Sequence, residues 1–171
     1  MMTTFIALLR AINVGGTGKL PMADLRSMCV EAGFAEVETY IASGNVVFTS
    51  SAKSASAKAV LESRLRDYAG KPIGVAIRTA TQLSAVLAQN PFPSNEPRHT
   101  YVIFLDERPP RGALDHATGR VDEDMRLGKQ EIYIAYPNGM GRSKLRIPAA
   151  KMGTARNVNT VAALVEIASR K

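Results

Sequence analysis

One Pro-rich stretch, residues 90–98 (NPFPSNEPR), interrupts the chain, and the succession of apolar runs and turn signals that precedes it starts again after it. A restart of this kind restricts the fold more than any single motif, because each half must then bury its apolar faces in a small layered unit. The expected organisation is a first half over residues 1–89, a Pro-rich connection over 90–99, and a second half over 100–171 packed on the first.

In the first half, residues 3–9 (TTFIALL) form a continuous apolar run with strand character, and residues 11–20 (AINVGGTGKL) read as loop. Pro21 suits a helix start, Met22, Leu25, Cys29 and Ala32 recur at helical spacing, and Gly33 supplies a left-handed stop. Residues 37–42 and 46–49 are β-rich and are separated by Ser43-Gly44-Asn45, a hairpin signal. A second helix is expected over 54–69, a strand over 73–78 and a short helix over 81–89. The second half offers a strand over 101–105, a short helix over 110–118, a hairpin of 120–126 with 131–136, a Gly/Pro loop and a last helix over 157–169. The fold class is therefore α+β. A ferredoxin-like βαββαβ half is followed by a βαββα half as a pseudo-duplication, in mostly antiparallel sheets with helices on one face.

That topology has a consequence for function. With the first strand central and antiparallel to the third, the end of the first strand and the turn between the second and third lie at one edge of the sheet. Arg10 and Asn13 are thereby expected beside Ser43, Gly44 and Asn45.

Composition narrows the classes that remain. The 171 residues are 46% hydrophobic and 22% charged, proportions of a folded protein rather than a disordered or collagenous one. The apolar runs are too short to cross a bilayer, and Arg10 cuts off a leader-like stretch, so neither membrane association nor a signal peptide is expected. A single cysteine, Cys29, forms no internal disulfide, and two histidines are too few for an ordinary zinc site. A reducing cytoplasmic compartment and no cofactor are the expectations. The net charge of +7 is unevenly spread: from Ile132 through Val165 there is no acidic residue, while Arg142, Lys144, Arg146, Lys151 and Arg156 fall inside that stretch. A positive face of this kind suits phosphate, carboxylate or nucleic acid.

Two segments could hold an anion. Residues 13–19 (NVGGTGK) fail as a P-loop, because Asn13 stands where the first Gly is required and Leu20 follows Lys19 where a hydroxyl is required. What survives is a flexible loop, with Gly15 and Gly16, that exposes N–H groups near Lys19. The second segment, 151–160 (KMGTARNVNT), opens the last helix. Thr154 or Asn157 can cap it, and Lys151 and Arg156 beside its positive end call for a compensating anion or an internal acidic or backbone partner. Asp122-Glu123-Asp124 does not converge on a metal, since strand alternation splits the three carboxylates between two faces of a solvated hairpin. No catalytic base stands out.

Three segments, LLRAINVGG at 8–16, YIASGNVVF at 40–48 and GTARNVNT at 153–160, closely resemble the bacterial domain-of-unknown-function family 1697. The resemblance implies an α+β protein of two similarly built halves and carries no catalytic assignment. Where the family usually has Gly this chain has Ala11, which speaks against a need for positive φ there. Where it often has Thr this chain has Ala155, which rules out a hydroxyl role at that position.

Three functions compete. The first is binding of a phosphate-bearing ligand, a nucleotide or nucleic-acid backbone, by Arg10, Asn13, Gly15, Gly16, Lys19, Ser43, Gly44, Asn45, Lys151, Thr154, Arg156 and Asn157. The second is a structural interlock between the halves, or a homodimer contact, made by the same motifs. The third is a metal-independent enzyme acting on an anionic metabolite, with Arg156 and loop N–H groups stabilising negative charge.

Overall fold

The computed structural model describes residues 1–12 and 19–171. Its chain divides into two compact units, Met1–Ser84 with Ala163–Lys171, and Ala85–Ala162.

In the first unit β1 (Thr3–Leu9), α1 (Met22–Glu31), β2 (Ala35–Tyr40), β3 (Asn45–Ser50), α2 (Ser54–Ala69) and β4 (Val75–Thr79) follow the expected βαββαβ order, and α3 (Ala80–Ala88) comes next. The sheet order is β2-β3-β1-β4, with β1 central and antiparallel to both neighbours. The apolar run of β1 is explained by burial on both of its faces. Phe5, Ala7 and Leu9 join Leu25, Cys29, Leu61 and Leu65 of the helices in one core, where Phe34 stacks on Phe48 with ring centroids 4.1 Å apart. Burial also raises the Cys29 thiol to about 12, as expected of a small core hydrophobe rather than a nucleophile. Helix α2 ends on left-handed Gly70, whose N–H donates to the Arg66 carbonyl at 2.8 Å.

The second unit contains β5 (Thr100–Phe104), β6 (Asp124–Leu127), β7 (Glu131–Ala135) and β8 (Thr154–Asn157), in the order β6-β7-β5-β8, with α4 (Val158–Ser169) following β8. Its core gathers Met125, Ile132, Ile134, Tyr136 and Ile147. The sheet therefore repeats the first in strand order and direction. Ile6 faces Val47 and Arg78 across its neighbours, and Val102 faces Tyr133 and Arg156 in the same way. Leu8 faces Asn45, and Phe104 faces Glu131.

Two readings of this half are corrected. Residues 154–157 belong to a strand rather than a helix opening, because pairing with β5 from Phe104↔Thr154 to Tyr101↔Asn157 satisfies their backbone. The helix expected over 110–118 is a 3₁₀ turn at Ala113–His116. The second half thus keeps the four strands and reduces the intervening helices to short turns. Among the described residues no helix is long and apolar enough to cross a membrane.

Candidate functional site

The chain leaves β1 at Leu9, whose N–H donates to the Gly44 carbonyl at 2.8 Å, while the N–H of Arg10 donates to the Gly74 carbonyl at 2.9 Å. The end of β1 is thus tied on one side to the β2–β3 turn and on the other to the approach to β4. Gly44 lies at φ +90°, and a Cβ built there would stand 2.5 Å from Ile12 Cδ1, so both conformation and close approach demand glycine. Ala11 sits at φ 50°, so the backbone turns left-handed here without a glycine.

Beyond this junction a cavity of about 240 Å³ opens in the first unit. Ala11, Ile12, Leu20 and Ile73 give it an apolar lining, and Lys19 and Lys71 contribute the charge. Both lysines are exposed, and neither makes an ion pair or side-chain hydrogen bond among the described residues. Nearby, Tyr68 donates its hydroxyl to Asp24 Oδ2 at 2.8 Å, a bond that raises the phenol above its ordinary range. Lys71 was not singled out by sequence. Its only signal is its place directly after the helix-ending Gly70, where the chain enters the β4 connection.

The structure brings Arg10, Ser43, Gly44 and Asn45 to one end of the first sheet, with Lys19 on the cavity wall next to Ala11 and Ile12. Their roles differ. Arg10 is half-buried and lays its stem near Gly74, while Asn45 is fully buried and donates Nδ2 to the Tyr40 carbonyl at 2.8 Å and to Ser43 Oγ at 3.0 Å. The Asn45 amide thus closes the β2–β3 turn from inside. Asn13, Gly15 and Gly16 lie outside the described residues.

The remaining candidates belong to the second unit. Thr154 is buried on β8 opposite Phe104, and Lys151 is exposed ahead of the strand. Arg156 was expected beside a helix terminus and instead lies inside β8, 7% exposed, with Nη1 donating to the Ala155 carbonyl at 2.8 Å. Burial lowers its guanidinium to about 10. Asn157 does cap α4: its Oδ1 accepts the Thr160 N–H at 2.9 Å.

Arg78 and Glu123 are buried charged residues that escaped the sequence reading. Arg78 occupies the register of Arg156 in the other sheet, is 5% exposed, and donates Nη1 to the Ile77 carbonyl at 2.9 Å. The shared pattern of Arg followed by a capping Thr or Asn, then a helix, was present in the sequence at 78–80 and 156–158. Glu123 was placed in a solvated strand. It precedes β6, is 3% exposed, and accepts the N–H groups of Val121 and Asp122 and the hydroxyl of Ser143. The Ser143 bond first and the backbone N–H groups next hold this carboxyl down at about 2. Among the described residues no group of His, Cys, Asp and Glu could hold a metal ion.

A pair of four-stranded antiparallel sheets with the same strand order defines a two-half α+β protein. The chain belongs to DUF1697, a family described as protein of unknown function, which matches residues 2–133. Among solved structures it is similar to the conserved bacterial protein SP0830 from Streptococcus pneumoniae, at 26% identity and a TM-score of 0.82 over 98% of this chain and 99% of that one. Among curated proteins none matches the chain.

Proposed function

We propose that this protein binds a small phosphate-bearing ligand of the nucleotide class in the first-unit cavity. The observation that carries the reading is the pair of uncompensated lysines, Lys19 and Lys71, on an otherwise mostly apolar wall. Ammonium groups without protein partners are available to a phosphate, and Ile12, Leu20 and Ile73 offer surface to an apolar or planar body attached to it. The net charge of +7 adds attraction over distance.

The test is a titration with AMP and, separately, with a short single-stranded oligonucleotide, at low and at physiological ionic strength. Binding of AMP is expected to weaken with salt, and Lys19→Ala or Lys71→Ala should each weaken it by about tenfold, as for loss of one charge-assisted hydrogen bond. Unchanged affinity in the double variant overturns the assignment. Preference for the oligonucleotide would shift the ligand to a nucleic-acid backbone.

A second reading, that the motif residues lock the fold, is favoured for Asn45, Arg156 and Asn157 by their internal hydrogen bonds. On that reading these three stabilise the units, and ligand charge falls to Arg10, Lys19 and Lys71.

A further inference from the structure

The second unit holds a cavity of about 310 Å³ between the segment that enters β6 and the segment that leaves β7. Duplication does not account for it. Tyr136, on its wall, follows the end of β7, which pairs with the beginning of β5, whereas the first-unit cavity lies beyond the end of β1. The two cavities therefore occupy opposite ends of equivalent sheets.

Charges of both signs line it: Asp122 and Glu123 against Arg142 and Lys144. Ser143 donates to Glu123, and Asn138 donates Nδ2 to Asp122 Oδ2, so the two segments are cross-linked and the carboxylates fixed. Every one of those donors is neutral. Arg142 and Lys144 flank Ser143, are exposed, and make no ion pair among the described residues. Two anions and two cations thus share one wall without pairing with each other. Tyr136, only 8% exposed, adds an aromatic ring to the same lining.

A simple anion placed here meets two carboxylates, and a simple amine meets an arginine and a lysine. A molecule carrying both charges a few bonds apart complements the whole wall. We propose that this cavity binds a small zwitterion of the α-amino-acid class, its carboxylate on Arg142 and Lys144 and its ammonium on Asp122 and Glu123. A volume at the lower edge of small-molecule sites suits a ligand of that size.

The experiment is calorimetric titration of the full chain with the twenty amino acids individually, beside acetate, methylamine and inorganic phosphate at matched ionic strength. At least one amino acid should bind saturably while the three single-charge probes do not. The Arg142→Ala/Lys144→Ala double variant, altered only at exposed positions, should bind it at least about tenfold more weakly. Asp122→Asn should also weaken it, and Lys19→Ala/Lys71→Ala should leave it unchanged, which separates this site from the first-unit reading. The proposal is overturned if no amino acid binds, if acetate or phosphate binds as tightly, or if the double variant binds like the parent.

Discussion

A β-branched side chain seldom occupies left-handed backbone, yet Ile41 does so at φ 47° in the β2–β3 turn, with its side chain 49% exposed. Asparagine tolerates that conformation, so Ile41→Asn should raise stability by about 1 kcal/mol in urea unfolding. Asn45 works in the opposite sense. Replacing it with Ala removes the amide that donates to the Tyr40 carbonyl and to Ser43 Oγ, and a loss of about 2 kcal/mol is expected in the same assay. Glu123 gives the protein an acid dependence. Its folded-state carboxyl is depressed from 4.5 to about 2, so its stabilising contribution is fully present above about pH 4.5 and is lost as pH falls through about 2. Ser143→Ala removes the largest cause of that depression, and unfolding measured at pH 6 and pH 3 should then show a smaller difference than in the parent. At this scale the sequence was least informative. The left-handed turn at Ala11 depends on where the tied end of β1 must go, and the burial of Glu123 depends on Ser143, twenty positions away. Neither is a property of local spacing.

The strand-to-helix junctions at Thr79 and Asn157 show how an element can be both legible and misread. Thr79 Oγ1 accepts the Gln82 N–H at 3.1 Å while its own N–H donates to Gln82 Oε1 at 2.9 Å, a reciprocal cap on α3. Asn157 caps α4 alone. The capping residue was readable because its chemistry is local, whereas β8 was missed because four residues, Thr-Ala-Arg-Asn, carry little strand preference until β5 supplies partners. Asn157→Ala should cost about 1 kcal/mol by thermal or chemical unfolding, and Asn157→Asp should restore most of it. The edge strand β2 is guarded by its own irregularity. Glu36 at φ 49° lies within the register shift between Ala35 and Glu38, and Glu38 is engaged by Arg170 and Lys171 at 3.6 and 3.0 Å. A twisted, charged edge is a poor template for pairing with another chain.

For the whole molecule, the first sheet was legible in its element order and its central strand, because strong apolar runs and turn signals alternate there. The candidate site was legible in part: topology alone put Arg10 beside the Ser43–Asn45 turn, since β1 and β3 must run antiparallel. Lys71 was not, because a lone lysine after a helix stop looks like any solvated residue until a cavity forms around it. The last nine residues, Ala163–Lys171, belong to the first unit, and within them Leu164, Ile167 and Ala168 are buried. A chain cut after Ala162 forfeits burial of two large side chains, which are worth about 4 kcal/mol together, and should melt well below the parent in calorimetry.

That return of the carboxyl-terminal helix also sets an order of events on the ribosome. Residues 85–162 must be translated between the two pieces of the first unit. At about ten residues per second they impose a delay of roughly eight seconds, during which the nascent β2 edge waits for the basic pair that clasps Glu38. Of the two units, the one whose translation starts first is thus the one completed last.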